Sequence, residues 1–270
     1  MDPFFSEFIA GLGDAAVENQ LDLLVSSSPA GDNDEKRQYK KWVNSHKVDG
    51  FIINRVWVRD QRLQYLHEEG IPFTALELSK DGIDYPRVEV TCKQAYQKLV
   101  SHLMEKGFRR IAFIGGFEGL KIHHNRSIAI KEALAIHGLT YEPELFISSD
   151  LTSLGGYQSA KRLLAMKNPP NAILCCNDES AFGAIHAVHE NGLDVGKDLA
   201  VAGFDGIQEA AHSQPPLTTL DQPVYQIARI LVQMLAQILS GKKLEESRVV
   251  IEPNLIIRES TNGFSETERA

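Results

Sequence analysis

Two short apolar segments of the sequence each end in polar residues that suit a small hydrogen-bonding ligand. Residues 172–176 (AILCC) precede Asn177 and Asp178, and residues 199–204 (LAVAGF) precede Asp205. An amphipathic segment with helical spacing lies between them. In an open α/β sheet, ligands bind outside the carboxyl ends of the strands. The sequence therefore predicts a ligand site formed by an amide and two carboxylates at one edge of a sheet.

Each of these residues also has a purely structural interpretation. Asn and Asp side chains cap helices by accepting a hydrogen bond from a backbone N–H group in the first turn. We expect Asp178 to cap the helix over 179–191 and Asn177 to contact the ligand. For Asp205, capping of the segment that follows it remains an alternative to ligand binding.

A further group of polar and aromatic residues follows the apolar segment 48–54 (VDGFIIN). Asn54, Arg55 and Trp57 come at or just after its carboxyl end. An indole ring stacks well on the apolar face of a sugar or on a base. Asn54 and Trp57 are therefore candidate ligand contacts, although Trp57 is equally compatible with a surface loop.

The sequence offers no evident catalytic or metal-binding machinery. It contains no G-x-S-x-G, P-loop or H-E-x-x-H motif. His123 and His124 are adjacent, so their side chains diverge in a helix or a strand. His186 and His189 share one face of a helix, but no third ligand is evident. We therefore expect neither enzymatic activity nor a metal or cofactor.

Composition places the chain among ordinary globular proteins. It has 270 residues, of which 43% are hydrophobic and 24% charged, and a formal net charge of -8. An acidic chain has no general attraction to nucleic-acid phosphates. Three cysteines, two of them adjacent, fit neither a disulfide framework nor a zinc site. Without a signal-peptide pattern or an apolar run of ~20 residues, a cytoplasmic location without membrane contact is expected.

Strand and helix patterns alternate along the chain, which is typical of βαβ units and parallel sheets. Helices are predicted at 6–19, 32–46, 60–69, 93–106, 127–137, 155–166, 179–191 and 224–239. Strands are predicted at 21–26, 48–54, 71–76, 87–90, 110–115, 145–148, 172–176, 199–204 and 249–257. Two such series indicate an α/β protein with two doubly wound lobes.

Nearly the whole chain resembles the effector-binding core of the lactose-repressor (LacI/GalR) family of bacterial transcription regulators. The motifs that carry the resemblance are DPFFSEFIAGL (2–12), VDGFII (48–53), HLMEKGFRRIAFIGG (102–116), NRSIAIKEAL (125–134), GGYQSAKRLL (155–164), NDESAFGAI (177–185), LAVAGFDG (199–206), PPLTTLDQP (215–223) and PNLIIREST (253–261). Each is weak alone, but their order and spacing together are specific.

The resemblance implies a fold like that of type I periplasmic binding proteins, with two Rossmann-like lobes joined by crossover strands. The expected N-terminal lobe is 1–108 with 222–247, and the C-terminal lobe is 109–221 with 248–262, followed by a frayed tail at 263–270. A small sugar-like or nucleobase-like effector would bind in the cleft between lobes. A homodimer is also implied, with α-helical segments 93–106 and 224–239 as candidate surfaces unless their apolar stripes are core.

The family also implies roles for particular residues. An arginine at the position of Arg126, expected just before a helix, would bind ligand hydroxyls or a carboxylate, unless it is a surface residue. Phe4 and Phe5 would pack over the ligand, although one of them fits the core. Gln222 would present an amide at the crossover back to the N-terminal lobe.

The sequence departs from the family pattern in several places. The helix-turn-helix headpiece that binds operator DNA and the first strand of the core would both precede this chain. In the family, an aspartate is frequent at the position of Thr91 and an aromatic residue at that of Leu151. Since this chain has neither, the sequence does not distinguish a sugar effector from a purine effector. The alternative function is a solute-binding protein of a sugar transporter, which predicts a signal peptide or a lipoprotein cysteine.

Overall fold

The computed structural model describes residues 3–26 and 32–263 and divides the chain into two compact units. Unit 1 comprises Met1–Val90, Gly119–Lys121 and Pro223–Ile251. Unit 2 comprises Thr91–Glu118, Ile122–Gln222 and Glu252–Ala270. These bounds differ from the lobes expected above at four places: 91–108 and Gln222 belong to unit 2, whereas 119–121 and 248–251 belong to unit 1. Apart from Gly263, the predicted tail lies outside the described residues.

Unit 1 is a parallel sheet with helices on both faces. Its helices are α1 (Pro3–Glu18), α2 (Asp32–Asn44), α3 (Gln61–Glu68) and α8 (Val224–Leu239). Its strands are β1 (Phe51–Ile53), β2 (Phe73–Leu76), β3 (Arg87–Val90) and β9 (Arg248–Ile251), which pair in this order and all run parallel.

The two faces of this sheet carry different helices. Phe51, Ile53, Phe73 and Ala75 form one core cluster with apolar residues of α2 and α3. On the other face, the hydroxyl of Thr74 donates to a backbone carbonyl of α8 at 3.1 Å. The apolar side of α8 is buried against the sheet and against α1. The stripe over 224–239 is therefore core.

The strand predicted at 21–26 is not formed. Leu21 N–H donates to the carbonyl of Ala16 at the end of α1, and the residues that follow join no strand within the described parts of the chain. Their apolar composition favours a buried strand, but a strand needs a neighbouring backbone to pair with. This prediction was wrong.

Unit 2 is a second, mostly parallel sheet. Its helices are α4 (Lys93–Glu105), α5 (Lys121–Ile136), α6 (Ser153–Leu164) and α7 (Asp178–Glu190). Its strands are β4 (Ile111–Ile114), β5 (Phe146–Ile147), β6 (Ala172–Cys175), β7 (Ala200–Asp205), β8 (Thr218–Asp221) and β10 (Asn254–Ile256). The order is β10-β8-β7-β6-β4-β5, and only β10 runs antiparallel to its neighbour.

The predicted last strand, 249–257, is divided between the two units. β9 pairs with β3 in unit 1, whereas β10 pairs with β8 in unit 2. Pro253 stands between them, and proline removes the backbone donor that a continuous ladder needs. β8 itself was not predicted as a strand. The apolar side of α4 is buried within its unit, so its stripe is core as well.

No helix in the described residues is long and apolar enough to cross a membrane. Cys92, Cys175 and Cys176 are free thiols, and all three are buried. They pack as small apolar side chains.

α6 and α7 pack closely because two glycines bring their backbones together. A Cβ atom at Gly183 of α7 would overlap the carbonyl oxygen of Ser153 and lie 2.6 Å from the backbone nitrogen of Tyr157. A Cβ atom at Gly156 of α6 would overlap the carbonyl of Ser180 in the same way. Any side chain at these positions must separate the helices.

Gly183→Ala is expected to lower the free energy of unfolding of unit 2 by about 1–3 kcal/mol through overpacking. Gly13→Ala in α1 is the matched control, because nothing lies within 4 Å of a Cβ atom there; it should raise stability by roughly 0.5–1 kcal/mol. Urea unfolding followed by circular dichroism measures both effects. Equal stability of the two variants would contradict the packing described here.

Candidate functional site

Arg126 lies in the middle of α5 and not just before a helix, as the sequence had suggested. Its side chain is buried, and only 4% of the residue is exposed. The Nη1 atom donates to the carbonyl oxygen of Cys176, just after β6. The guanidinium carbon lies 3.4 Å above the ring centroid of Phe204, near the end of β7. The interpretation as a surface arginine is therefore wrong.

Asp205 lies beside this guanidinium at the last position of β7. Its Oδ1 atom is 3.7 Å from Nη2 of Arg126 and accepts a hydrogen bond from Nε2 of Gln222 at 2.7 Å. The backbone of Asp205 has φ 115°, a conformation that residues other than glycine rarely adopt. Such strain concentrates at functional sites. The structure therefore brings together three of the predicted site residues: Arg126, Asp205 and Gln222.

Arg126 stays charged despite its burial. Burial by itself lowers the pKa of a guanidinium, but the interactions with Cys176 and Asp205 outweigh it and hold the pKa of Arg126 above its usual value. The contact of this guanidinium with the Asp205 carboxylate is long, at 3.7 Å. Its closer contacts are with neutral groups, the Cys176 carbonyl and the Phe204 ring. A ligand with polar groups at this point would therefore meet a charged donor and a charged acceptor close together.

The helix cap expected of Asp178 is formed by Asn177 instead. Asn177 is the N-cap of α7: its Oδ1 accepts from the N–H of Ser180 at 3.1 Å. Its Nδ2 donates to the carbonyl of Leu151 at 2.9 Å. The assignment of the cap to Asp178 was wrong, and ligand contact by Asn177 stays a prediction, since both ends of its amide already have partners.

Asp178 is fully buried and connects α7 to the loop after β7 and to β8. Its Oδ2 accepts from the N–H groups of Gly206 and Ile207 at 2.9 and 3.0 Å, and its Oδ1 accepts from the hydroxyl of Thr219 at 2.6 Å. Burial raises the pKa of Asp178 from 3.8 to about 7, although these three donors act in the opposite direction. This carboxyl group holds the loop after Asp205 in place.

The predicted residues of unit 1 lie in α1 and in the segment that follows β1. Phe4 and Phe5 lie within α1 and are half-buried, with ring centroids 5.3 Å apart. The Arg55 guanidinium lies 5.6 Å from the ring centroid of Phe5. The backbone N–H of half-buried Trp57 donates to Asp60, the N-cap of α3, at 3.0 Å, and Asn54 is half-buried just after β1. Their contact with a ligand stays a prediction.

Sequence reasoning missed two parts of the site. Phe204 lies against the Arg126 guanidinium. In the sequence it belongs to an apolar strand, so the pattern predicts only a core residue. The carbonyl of Cys176 binds the same guanidinium, and backbone acceptors leave no signal in the residue types. The described residues contain no group of three or more His, Cys, Asp or Glu side chains arranged to hold a metal ion.

A family profile described as a periplasmic binding protein-like domain matches residues 100–261. The chain belongs to this family. The resemblance to LacI-type regulators is confirmed by the relatives and structures that it matches.

One relative is the HTH-type transcriptional repressor CytR of Escherichia coli K12, 29% identical over 269 residues, which cover 97% of this chain and 77% of CytR. A LacI-family regulatory protein from Chloroflexus aggregans superimposes with a TM-score of 0.83, at 27% identity over 96% of this chain and 92% of that one. The regulator CelR in complex with cellobiose gives a TM-score of 0.87, at 26% identity over 96% of this chain and 79% of that one.

The buried carboxyl of Asp178 should make the stability of unit 2 depend on pH. Its folded-state pKa is raised, so its contribution is fully present below pH 3.8 and is lost as the pH rises towards about 7. Asp178→Asn copies the protonated form. The free energy of unfolding of the wild type, relative to this variant, should fall by roughly 1–4 kcal/mol from pH 4 to pH 7.5. Urea unfolding at several pH values gives this difference; parallel pH profiles would contradict the assignment.

Proposed function

We propose that this chain is the effector-sensing core of a LacI-type transcriptional repressor, with a small sugar-like or nucleobase-like effector. The observation that carries the proposal is the cluster of Arg126, Asp205 and Gln222 at the carboxyl ends of β7 and β8. Ligands of open α/β sheets bind at such ends. The strain at Asp205 adds support, because the fold keeps a costly backbone conformation there.

The side chains of this cluster suit neighbouring hydroxyl or amide groups. A guanidinium donates two parallel hydrogen bonds in a fixed plane, and a carboxylate accepts hydroxyl or amine protons. Gln222 both donates and accepts. An effector with adjacent donors and acceptors would replace the long Arg126–Asp205 contact with shorter ones. We propose that Phe4, Phe5, Asn54, Trp57 and Asn177 contribute further contacts.

Regulation follows if the effector binds two states of the core with different affinities. The proposal includes a homodimer and operator DNA bound by a helix-turn-helix headpiece outside this chain. CytR is an HTH-type repressor, and CelR is a regulator with cellobiose bound. The relatives are regulators, so the alternative, a binding protein of a sugar transporter, is not favoured.

A panel of pentoses, hexoses, uronates, disaccharides and nucleosides tests the proposal by thermal shift. At a concentration about 100-fold above its dissociation constant, an effector stabilises the protein by roughly 2.7 kcal/mol. At least one compound should therefore raise the melting temperature by about 5–10 °C. Arg126→Lys, which keeps the charge but loses the planar pair of donors, should weaken its binding by about tenfold or more.

Arg229→Lys is the matched control. Arg229 pairs with Glu18 in unit 1 and has no part in the cluster, so its replacement should leave the shift unchanged. If no compound shifts the wild type, the effector class is wrong. If Arg126→Lys binds as the wild type does, the site assignment is wrong.

A further inference from the structure

Tyr96 of α4 carries a buried hydroxyl group to which the site described above gives no role. Only 1% of this residue is exposed. Its hydroxyl oxygen has no hydrogen-bond partner within the part of the chain that the structure describes. Burying a hydroxyl without a partner is costly, so such a group in a native protein needs an explanation.

The Tyr96 side chain lies close to the Arg126 guanidinium. Its ring centroid is 6.2 Å from that of Phe204, and the guanidinium carbon of Arg126 lies 3.4 Å above the same Phe204 ring. Burial raises the pKa of Tyr96 well above its usual value, and the nearby Arg126 charge acts in the opposite direction. The hydroxyl therefore keeps its proton and stays neutral, next to a charged hydrogen-bond donor.

The guanidinium of Arg126 is held by other groups in this structure. Nη1 donates to the carbonyl of Cys176, whereas Nη2 lies 3.7 Å from Oδ1 of Asp205, too far for a hydrogen bond. A guanidinium has five N–H donors, and a tyrosine hydroxyl can accept one of them. An effector that binds the Asp205 carboxylate removes the charge that faces Nη2. The buried guanidinium then needs another acceptor, and the Tyr96 hydroxyl is one that is already in place.

α4 is the first helix after the chain passes from unit 1 to unit 2. The boundary lies between Val90, the last residue of β3, and Thr91, and α4 begins at Lys93. Tyr96 is in the first turn of α4, where its backbone N–H donates to the carbonyl of Cys92 at 3.0 Å. A hydrogen bond to its hydroxyl therefore acts on the helix that begins at this boundary.

We propose that Tyr96 is a positioning residue that transmits effector binding from Arg126 to α4: when an effector replaces the Asp205 contact, the guanidinium donates a hydrogen bond to the Tyr96 hydroxyl. This inference rests on the proposed effector function. The new bond gives the hydroxyl its partner and holds the first turn of α4 against α5. The free and effector-bound chains then differ at α4, and a difference between two states is what regulation requires.

The free chain should not need the Tyr96 hydroxyl. Tyr96→Phe is expected to leave the melting temperature unchanged or to raise it, because it removes only an unpaired group. Tyr85→Phe is the matched control. The buried Tyr85 hydroxyl accepts from the N–H of Ser79 at 2.7 Å and donates to the carbonyl of Glu77 at 3.1 Å, so its loss should lower the melting temperature by roughly 2–10 °C. A fall of this size for Tyr96→Phe would overturn the proposal without any ligand.

The binding experiment uses as its probe the pentose, hexose, uronate, disaccharide or nucleoside that raises the melting temperature of the wild type most. Calorimetric titration should show about 3–10-fold weaker binding to Tyr96→Phe, the effect of one lost hydrogen bond. The amides of 96–99 should exchange more slowly with water when the probe is bound to the wild type, but not when it is bound to Tyr96→Phe. Tyr141→Phe should behave as the wild type, because Tyr141 is 38% exposed beside the edge strand β5.

Weaker binding together with loss of the protection at 96–99 supports the proposal. Equal binding, or equal protection in Tyr96→Phe and wild type, would overturn this inference alone and leave the effector site as proposed. A deoxy analogue of the probe that binds both chains equally, when the probe itself does not, would assign the hydroxyl to direct effector contact and overturn the link to Arg126. If no compound of the panel binds the wild type, the proposed function fails, and this inference fails with it.

Discussion

The buried charge of Arg126 is the constraint on which the carboxyl edge of the unit 2 sheet depends. A guanidinium removed from water must be compensated by hydrogen bonds and by opposite charge. Here the compensation comes from the ends of two adjacent strands: the Cys176 carbonyl after β6, and the Phe204 ring and the Asp205 carboxylate of β7. The orientation of α5 is thereby coupled to the strand ends that we propose as the effector site.

Asp178 and Asp205 lie close together in unit 2 but have different roles, because their surroundings differ. Asp178 is fully enclosed and accepts three hydrogen bonds from the loop after β7 and from β8. It fixes the backbone near Asp205. The carboxylate of Asp205 has a long contact with Arg126 and accepts a hydrogen bond from Gln222. A ligand that offers better partners can change these contacts without disturbing the sheet.

Elements with a complete local pattern could be predicted from the sequence. β3 and α8 begin and end at the predicted residues, and the alternation of helices and strands identified the α/β class. Asp205, Gln222 and Arg126 were all singled out, two of them by their resemblance to a family.

The remaining features depend on tertiary partners that a sequence pattern does not contain. The segment 21–26 is apolar enough for a strand, but nothing described pairs with it. Residues 249–257 look like one strand, but each half belongs to a different sheet. Asn177 and Asp178 are both good N-caps. Asp178 accepts hydrogen bonds from the N–H groups of Gly206 and Ile207, which lie 28 and 29 residues after it, and this leaves the cap of α7 to Asn177.

The most direct test of the central claim observes the Arg126 guanidinium itself. In ¹⁵N-labelled protein, its Nε–H signal can be assigned by its absence in Arg126→Lys. The buried group should give a signal in the free protein that exchanges slowly with water. At saturation with a compound that raises the melting temperature, this signal should move, because the ligand replaces the long contact with Asp205. A signal that stays in place at saturation would show that the effector binds elsewhere and would contradict the account.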